Sequence, residues 1–198
     1  MNLDLTLEPI FSNFVISTEL NLDCKVLEEY SYLKKNNTPS LHRSNYGGHQ
    51  AHINESNDHP EEFKKLLNCV LRVGQKVADE LSLETTLNID NYWININKEK
   101  NFNTIHLHPF AVFSAVFYIK TPKNCGKIFF VNPVTAHPYV YQRMNPKKYN
   151  AFNSQEWSYE SLENRLLFFP SYLFHYVTPN ENPNEDRISV AFNLSCST

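Results

Sequence analysis

From Thr85 onward the chain is a series of short β-branched and aromatic runs, each closed by a turn signal. The runs are carried by Ile94 and Ile96, Ile105 and Leu107, Val112 to Ile119, Ile128 to Val131, Leu166 to Phe169, Phe174 to Val177, and Ile188 to Phe192. Asn101, Pro109, Pro122-Lys123-Asn124 and Asn132-Pro133 separate several of them. Runs of this length and spacing read as strands, and many short strands read as a sandwich or jelly roll. Phe110, Phe113, Phe117, Phe129 and Phe168 are expected in the core of the barrel such strands would close.

The N-terminal part has a different period. Residues 5–17 read as extended, with Pro9 as a break. Asp23 can cap a helix running to about Lys35, with Val26, Leu27, Tyr30 and Leu33 near helical spacing. A polar loop over 36–58 holds Gly47-Gly48, expected to be a specific turn. Asp58-His59-Pro60-Glu61-Glu62 reads as a helix start, with Asp58 as cap. Phe63, Leu66, Leu67, Val70, Leu71 and Val77 then form one apolar stripe to about Leu81. The expected fold is mainly β with flanking helices (α+β), a helical N-terminal half packed on a β C-terminal half.

Composition narrows the function. The 198 residues carry a net charge of −3, which argues against a basic nucleic-acid binder. Four glycines are too few for a dinucleotide fingerprint or a P-loop. Asparagine fills about an eighth of the chain, which reads as compositional. Cys24, Cys69, Cys125 and Cys196 are scattered, with no CxxC, and read as reduced thiols. No signal peptide or membrane-length apolar run is seen, so a cytoplasmic location with no membrane partner is expected.

The chemistry sits in the histidines. His106-Leu107-His108 falls in an expected strand, where residues i and i+2 share a face. A later strand carries His175, and Arg187-Ile188-Ser189 follows in the last one. Two histidines on one face, a third from a distant strand and then an arginine suggest a mononuclear metal site beside an anion-binding group. His42, His49, His52, His59 and His137 are expected to be ordinary. Residues 137–153, with Tyr139, Tyr141 and Arg143, are a candidate lid.

The pattern resembles the iron(II)/2-oxoglutarate-dependent dioxygenase superfamily. Within it the sequence is most similar to a family of uncharacterised oxygenases of bacteria and marine phages. The match runs in order over about residues 44–193. It comprises Ser44-Asn45, Gly47-Gly48 and Gln50; Trp93 and Asn95; Asn103, His106, His108 and Pro109; Phe169-Pro170-Ser171, His175, Val177 and Pro179; and Arg187-Ile188-Ser189 through Phe192-Asn193. The resemblance implies a double-stranded β-helix (jelly roll, cupin-like) core over 86–198 with an N-terminal helical support over 1–85, together one domain of 1–198.

It also implies an activity and a site. Fe(II) and 2-oxoglutarate would serve hydroxylation of a small-molecule or peptidyl substrate by O2, with release of succinate and CO2. His106 and His175 would be metal ligands, and Arg187 would pair with the far carboxylate of 2-oxoglutarate. Ser189, Tyr118 and Asn95, with Asn97 beside it, would help to bind that cosubstrate. The superfamily's second ligand is an Asp or Glu, and here the position holds His108. No acidic residue lies between Glu99 and Glu156, so either His108 binds the metal or the site has only two protein ligands; the three-histidine site is the expectation. Asn45 and Gln50 are candidates for the substrate mouth, and a homodimer through the N-terminal half is a further expectation. The alternatives are a three-histidine cupin-type dioxygenase without 2-oxoglutarate, and a non-catalytic jelly-roll protein with a structural metal or none.

Overall fold

The computed structural model describes residues 6, 8–53, 58–134, 140, 143 and 145–197. The expected lid falls largely outside them: His137, Tyr139 and Tyr141 are not among the described residues, and Arg143 is exposed.

Among the described residues, eleven strands form two antiparallel sheets. They are β1 (Ile16–Glu19), β2 (Asn45–Tyr46), β3 (His49–His52), β4 (Leu87–Asn97), β5 (Phe102–His106), β6 (Phe113–Lys120), β7 (Lys127–Val131), β8 (Glu156–Glu160), β9 (Arg165–Pro170), β10 (His175–Val177) and β11 (Arg187–Cys196). The larger sheet has the order β1-β9-β6-β11-β4-β3 and the smaller β2-β5-β10-β7-β8. From β4 to β11 the chain crosses repeatedly between the two, which is the connectivity of a double-stranded β-helix. β1 and β3 extend the larger sheet, and β2 the smaller.

Helices α1 (Cys24–Asn37) and α2 (Glu61–Glu80) cover the outer face of the larger sheet. In α1, Asp23 accepts from Lys25 N and Val26 N, the expected cap. α2 starts two residues later than a cap at Asp58 would place it: Pro60 is the N-cap residue and gives no side-chain bond. Asp58 instead pairs with Lys34 of α1 at 2.6 Å. Phe63, Leu66, Val70, Gly74, Val77 and Ala78 form the buried stripe of α2. They meet Ile94, Ile96, Ile188, Val190, Phe192 and Leu194 of the larger sheet. Each Phe, Leu, Ile or Val side chain buried in this layer contributes about 1.5–3 kcal/mol.

This layer corrects the expectation for the phenylalanines. Phe113, Phe117 and Phe168 are buried under the helices, on the outer face of the sheet. Phe129 is half-buried, and Phe110 is 99% exposed. A smaller cluster fills the space between the sheets: Tyr118, Ile128, Phe130, Leu167, Phe169 and Leu173. Residues 8–15 are not strand, and the polar loop contains β2 and β3. Gly47, at φ +72, turns the chain from the smaller sheet to the larger.

β4 and β11 alternate in a way that places the site. Ile94 and Ile96 on β4 and Ile188, Val190 and Phe192 on β11 face the helices. Asn91, Trp93, Asn95 and Asn97 on β4 and Arg187, Ser189, Ala191 and Asn193 on β11 lie opposite one another in register. Side chains of period two must then face the inside of the barrel. Buried polar groups on an inward face need partners.

Candidate metal centre

β5 and β10 pair so that His175 lies directly opposite His106. His108 is not in the strand as expected: β5 ends at His106, and Pro109 has no N–H with which to prolong the ladder. Instead the His108 N–H donates to Ser171 O at 3.0 Å. This pins the segment to the β9–β10 turn and brings the third ring to the other two. The ring centroids are 4.3 Å (His106–His175), 5.0 Å (His108–His175) and 5.2 Å (His106–His108) apart. One ligand atom from each lies within 4.8 Å of the others, the one such cluster among the described residues.

The protonation of the rings suits a metal. Nδ1 of His106 is 2.7 Å from Thr104 O, and Nδ1 of His175 is 2.9 Å from Leu173 O. Nδ1 of His108 is 2.5 Å from Asn193 Oδ1. A carbonyl oxygen only accepts, so each Nδ1 carries the proton and Nε2 keeps its lone pair. Burial lowers the pKa of all three: that of His108 to about 4, and that of His175 well below the usual histidine range. The rings are therefore neutral near pH 7, as metal ligation requires.

A cavity joins these rings to Arg187. Ser44, Trp93, Asn95, Tyr118, Phe169 and Ser189 are among its other lining residues. Arg187 is 2% exposed. Its Nη1 donates to Cys125 O and, at 3.0 Å, to Thr178 O. Nη2 has no hydrogen-bond partner, and none of the ion pairs among the described residues involves Arg187. Gly126 makes this seat possible: a Cβ there would lie 2.8 Å from Nη1 and 2.5 Å from Thr178 O. The Tyr118 hydroxyl is also buried, with Ser161 nearby but outside hydrogen-bond geometry. Burial raises the Tyr118 pKa, so the phenol keeps its proton to donate. Ser189 is in register with both Tyr118 and Asn95. The Asn95 Oδ1 is a further buried atom without a partner.

An isolated buried cation costs several kcal/mol unless an anion answers it. Two unpartnered donors and a positive charge at one end, with three neutral imidazoles also on the wall, fit a small dianion that also reaches a metal.

The weaker candidates lie elsewhere. Asn45 closes the turn after it, donating to Gly48 O at 2.8 Å and accepting from Arg43 N at 2.9 Å. Gln50 is buried on β3, 3.3 Å from His52 Nε2. Neither lines the cavity. Asn97 is buried against Gly48. His59 is held between the hydroxyls of Tyr30 (2.6 Å) and Tyr92 (2.8 Å). Ser44, Trp93 and Asn193 had no role from sequence alone. Ser44 Oγ lies 3.4 Å from His106 Nε2, and Trp93 packs on His108 with centroids 5.4 Å apart. All three fall on the motif pattern, which was their only signal.

Comparison with known proteins agrees with this geometry. A family model described as "Putative 2OG-Fe(II) oxygenase" matches residues 91–193, just over half of the chain. No curated protein sequence matches. A prolyl-4-hydroxylase from Pseudomonas putida superposes with a TM-score of 0.67 at 14% identity, over 93% of each chain. A prolyl hydroxylase from Trichoplax adhaerens, solved with a hypoxia inducible factor peptide, gives 0.64 at 16% identity, over 93% of this chain and 83% of that one. HygX from Streptomyces hygroscopicus, solved with nickel and 2-oxoglutarate bound, gives 0.57 at 11% identity, over 93% and 83%. At these identities the structures show a shared fold, and together with the family match they establish that the chain belongs to the 2OG-Fe(II) oxygenase family.

Proposed function

We propose that this protein is an iron(II)- and 2-oxoglutarate-dependent oxygenase that hydroxylates a small-molecule or peptidyl substrate, with succinate and CO2 as co-products. The observation that carries this reading is Arg187, buried and unpaired at Nη2, in the same cavity as the three histidines. Iron held there would supply the redox chemistry that couples O2 to oxidation of the oxo-acid.

The protein's own part is binding and orientation. His106, His108 and His175 hold the metal through Nε2. Arg187 and Tyr118 bind the far carboxylate of 2-oxoglutarate, and an arginine fork suits a carboxylate better than a point charge does. Ser189 adds a hydroxyl from the same strand face. Asn95 contacts the cosubstrate with an amide that can offer either its oxygen or its NH2. The apolar wall of Phe169, Ile128 and Val116 keeps water away. With three neutral ligands the centre is one charge more positive than with a carboxylate, which favours the anionic cosubstrate.

A three-histidine dioxygenase that takes no oxo-acid would leave the Arg187 charge without a partner. So would a structural metal site. The whole chain, 1–198, acts as one domain in this reading. Free, scattered cysteines suit a reducing cytoplasm, and among the described residues no helix is long and apolar enough to cross a membrane.

The test is anaerobic titration with iron(II) and then 2-oxoglutarate. A weak visible charge-transfer band is expected, together with slow succinate formation once O2 is admitted. Absence of both would sink the reading. The Arg187→Ala protein should bind the metal and fail to develop the band at matched 2-oxoglutarate concentration.

A further inference from the structure

The three imidazoles are oriented by different means. His106 and His175 donate to main-chain carbonyls, of Thr104 and Leu173, which no substitution removes. His108 alone donates to a side chain, the amide of Asn193, from 85 residues along the sequence. That amide is itself fixed. Its Oδ1 also accepts from Ser114 Oγ at 2.9 Å, and its Nδ2 donates to Asn91 Oδ1 at 3.0 Å. Asn193 lies in register with Asn91 and Ser114, next to a shift that leaves Asp90 as an extra residue on β4.

The direction of the amide decides what His108 can do. With Oδ1 toward the ring, the proton is on Nδ1 and Nε2 has a free lone pair. With the NH2 group toward the ring, Nδ1 must accept. The proton then moves to Nε2, and the ring can no longer ligate through that atom. A carboxylate in this position would have no tautomer to set. An imidazole does, so replacing an acid by His108 creates a requirement that a neighbour must meet.

We propose that Asn193, braced by Ser114 and Asn91, is the positioning residue that makes His108 a metal ligand. The inference rests on the metal-centre reading above, and the experiment separates the two. Cobalt(II) is the probe, its affinity measured by competition with a chromophoric chelator and its d–d absorption recorded. Wild type should bind one equivalent, and His106→Ala and His175→Ala should lose most of that binding. If wild type binds none, or those two variants bind as wild type does, the metal centre itself is refuted and this inference with it.

Given a working centre, Asn193→Ala should weaken cobalt(II) binding about 10–100-fold and shift the absorption toward that of His108→Ala. Asn193→Asp keeps the shape and is an obligatory acceptor. It should bind at least as tightly as wild type, with a similar band. Far-UV circular dichroism of the metal-free proteins checks folding, and the Asp variant keeps the test open if Ala unfolds. Wild-type affinity and spectrum in Asn193→Ala would overturn the proposal. So would equal loss of cobalt(II) in Ala and Asp, since Asn193 would then serve structure rather than proton placement.

Discussion

Arg187 is the residue whose energetics are most one-sided. Its charge is buried, two carbonyls accept from Nη1, and the equally buried Nη2 has no hydrogen-bond partner. An anion bound there should stabilise the native state by mass action, about 2.7 kcal/mol at a hundredfold excess over the dissociation constant. Thermal scans of metal-loaded protein should therefore show a rise in Tm with 2-oxoglutarate. Arg187→Met should show none, and an equal rise would remove the arginine from the binding site. Gly126→Ala offers an independent probe of the same seat. Its φ of +84 and the contacts a Cβ would make with Thr178 O and Pro179 O predict a loss of about 2 kcal/mol or more. Isothermal titration should also find weaker 2-oxoglutarate binding, since Arg187 has to move. His106, His108, His175 and Arg187 could be picked out in the sequence because each is a rare residue type on a recognisable strand pattern. Ser44 and Asn193 fall on the motif pattern but their roles could not be read, since one serine or asparagine looks like any other until the fold brings it to a histidine.

Among the elements, α2 is the clearest stability determinant. Phe63 is fully buried and meets Tyr30, His59 and Tyr92. Phe63→Ala should cost about 3–5 kcal/mol in urea unfolding, and a loss below 1 kcal/mol would mean that the helix packs elsewhere. His59 sits at the junction of α1, α2 and β4. Burial, with help from Lys34 and Lys64 and against Asp58, lowers its pKa below the usual 6.5. A base with a depressed native pKa resists protonation in the fold. Its contribution is complete above about pH 6.5 and is lost as pH falls through that value toward the native pKa. Unfolding free energy measured from pH 8 to 5 should fall more steeply in wild type than in His59→Gln. Identical slopes would show that His59 is not the group responsible.

Both helices could be read from their apolar spacing, α1 from its cap as well, because local rules govern them. Helix α2 starts at Glu61 rather than just after Asp58, whose carboxylate is engaged by Lys34 in an ion pair between elements that no local rule contains. The end of β5 at His106 was hidden for a similar reason: alternation continues to His108, but the ladder does not. Asparagine, read as compositional, turns out to have a task. Asn21, Asn124, Asn145 and Asn164 adopt positive φ, as Gly47 and Gly126 do. Asparagine tolerates that region better than most side chains, so a chain with four glycines still makes its turns.

At the scale of the whole molecule, the hydrophobic pattern told how many layers there would be but not which residues lined each one. Apolar runs such as Ile188 to Phe192 are buried on both faces, so period two alone does not separate helix-facing from barrel-facing positions. The polar members of β4 and β11 carry that information, because only an interior with a ligand to hold gives a reason to bury them.

The pairing of His106 opposite His175 also has a consequence in time. β4 must find β11, and β5 must find β10, across most of the C-terminal half, and such distant pairings make folding slow, on the scale of milliseconds to seconds. The three imidazoles converge only when this closure is complete, so metal can enter only a barrel that has already formed. A metal bound there would fasten two strands that are far apart in the chain. Stopped-flow experiments should find the refolding rate indifferent to cobalt(II), while unfolding slows markedly. In the cell a protein loaded in this way would gain its persistence after synthesis, from an ion bound only once the barrel has closed.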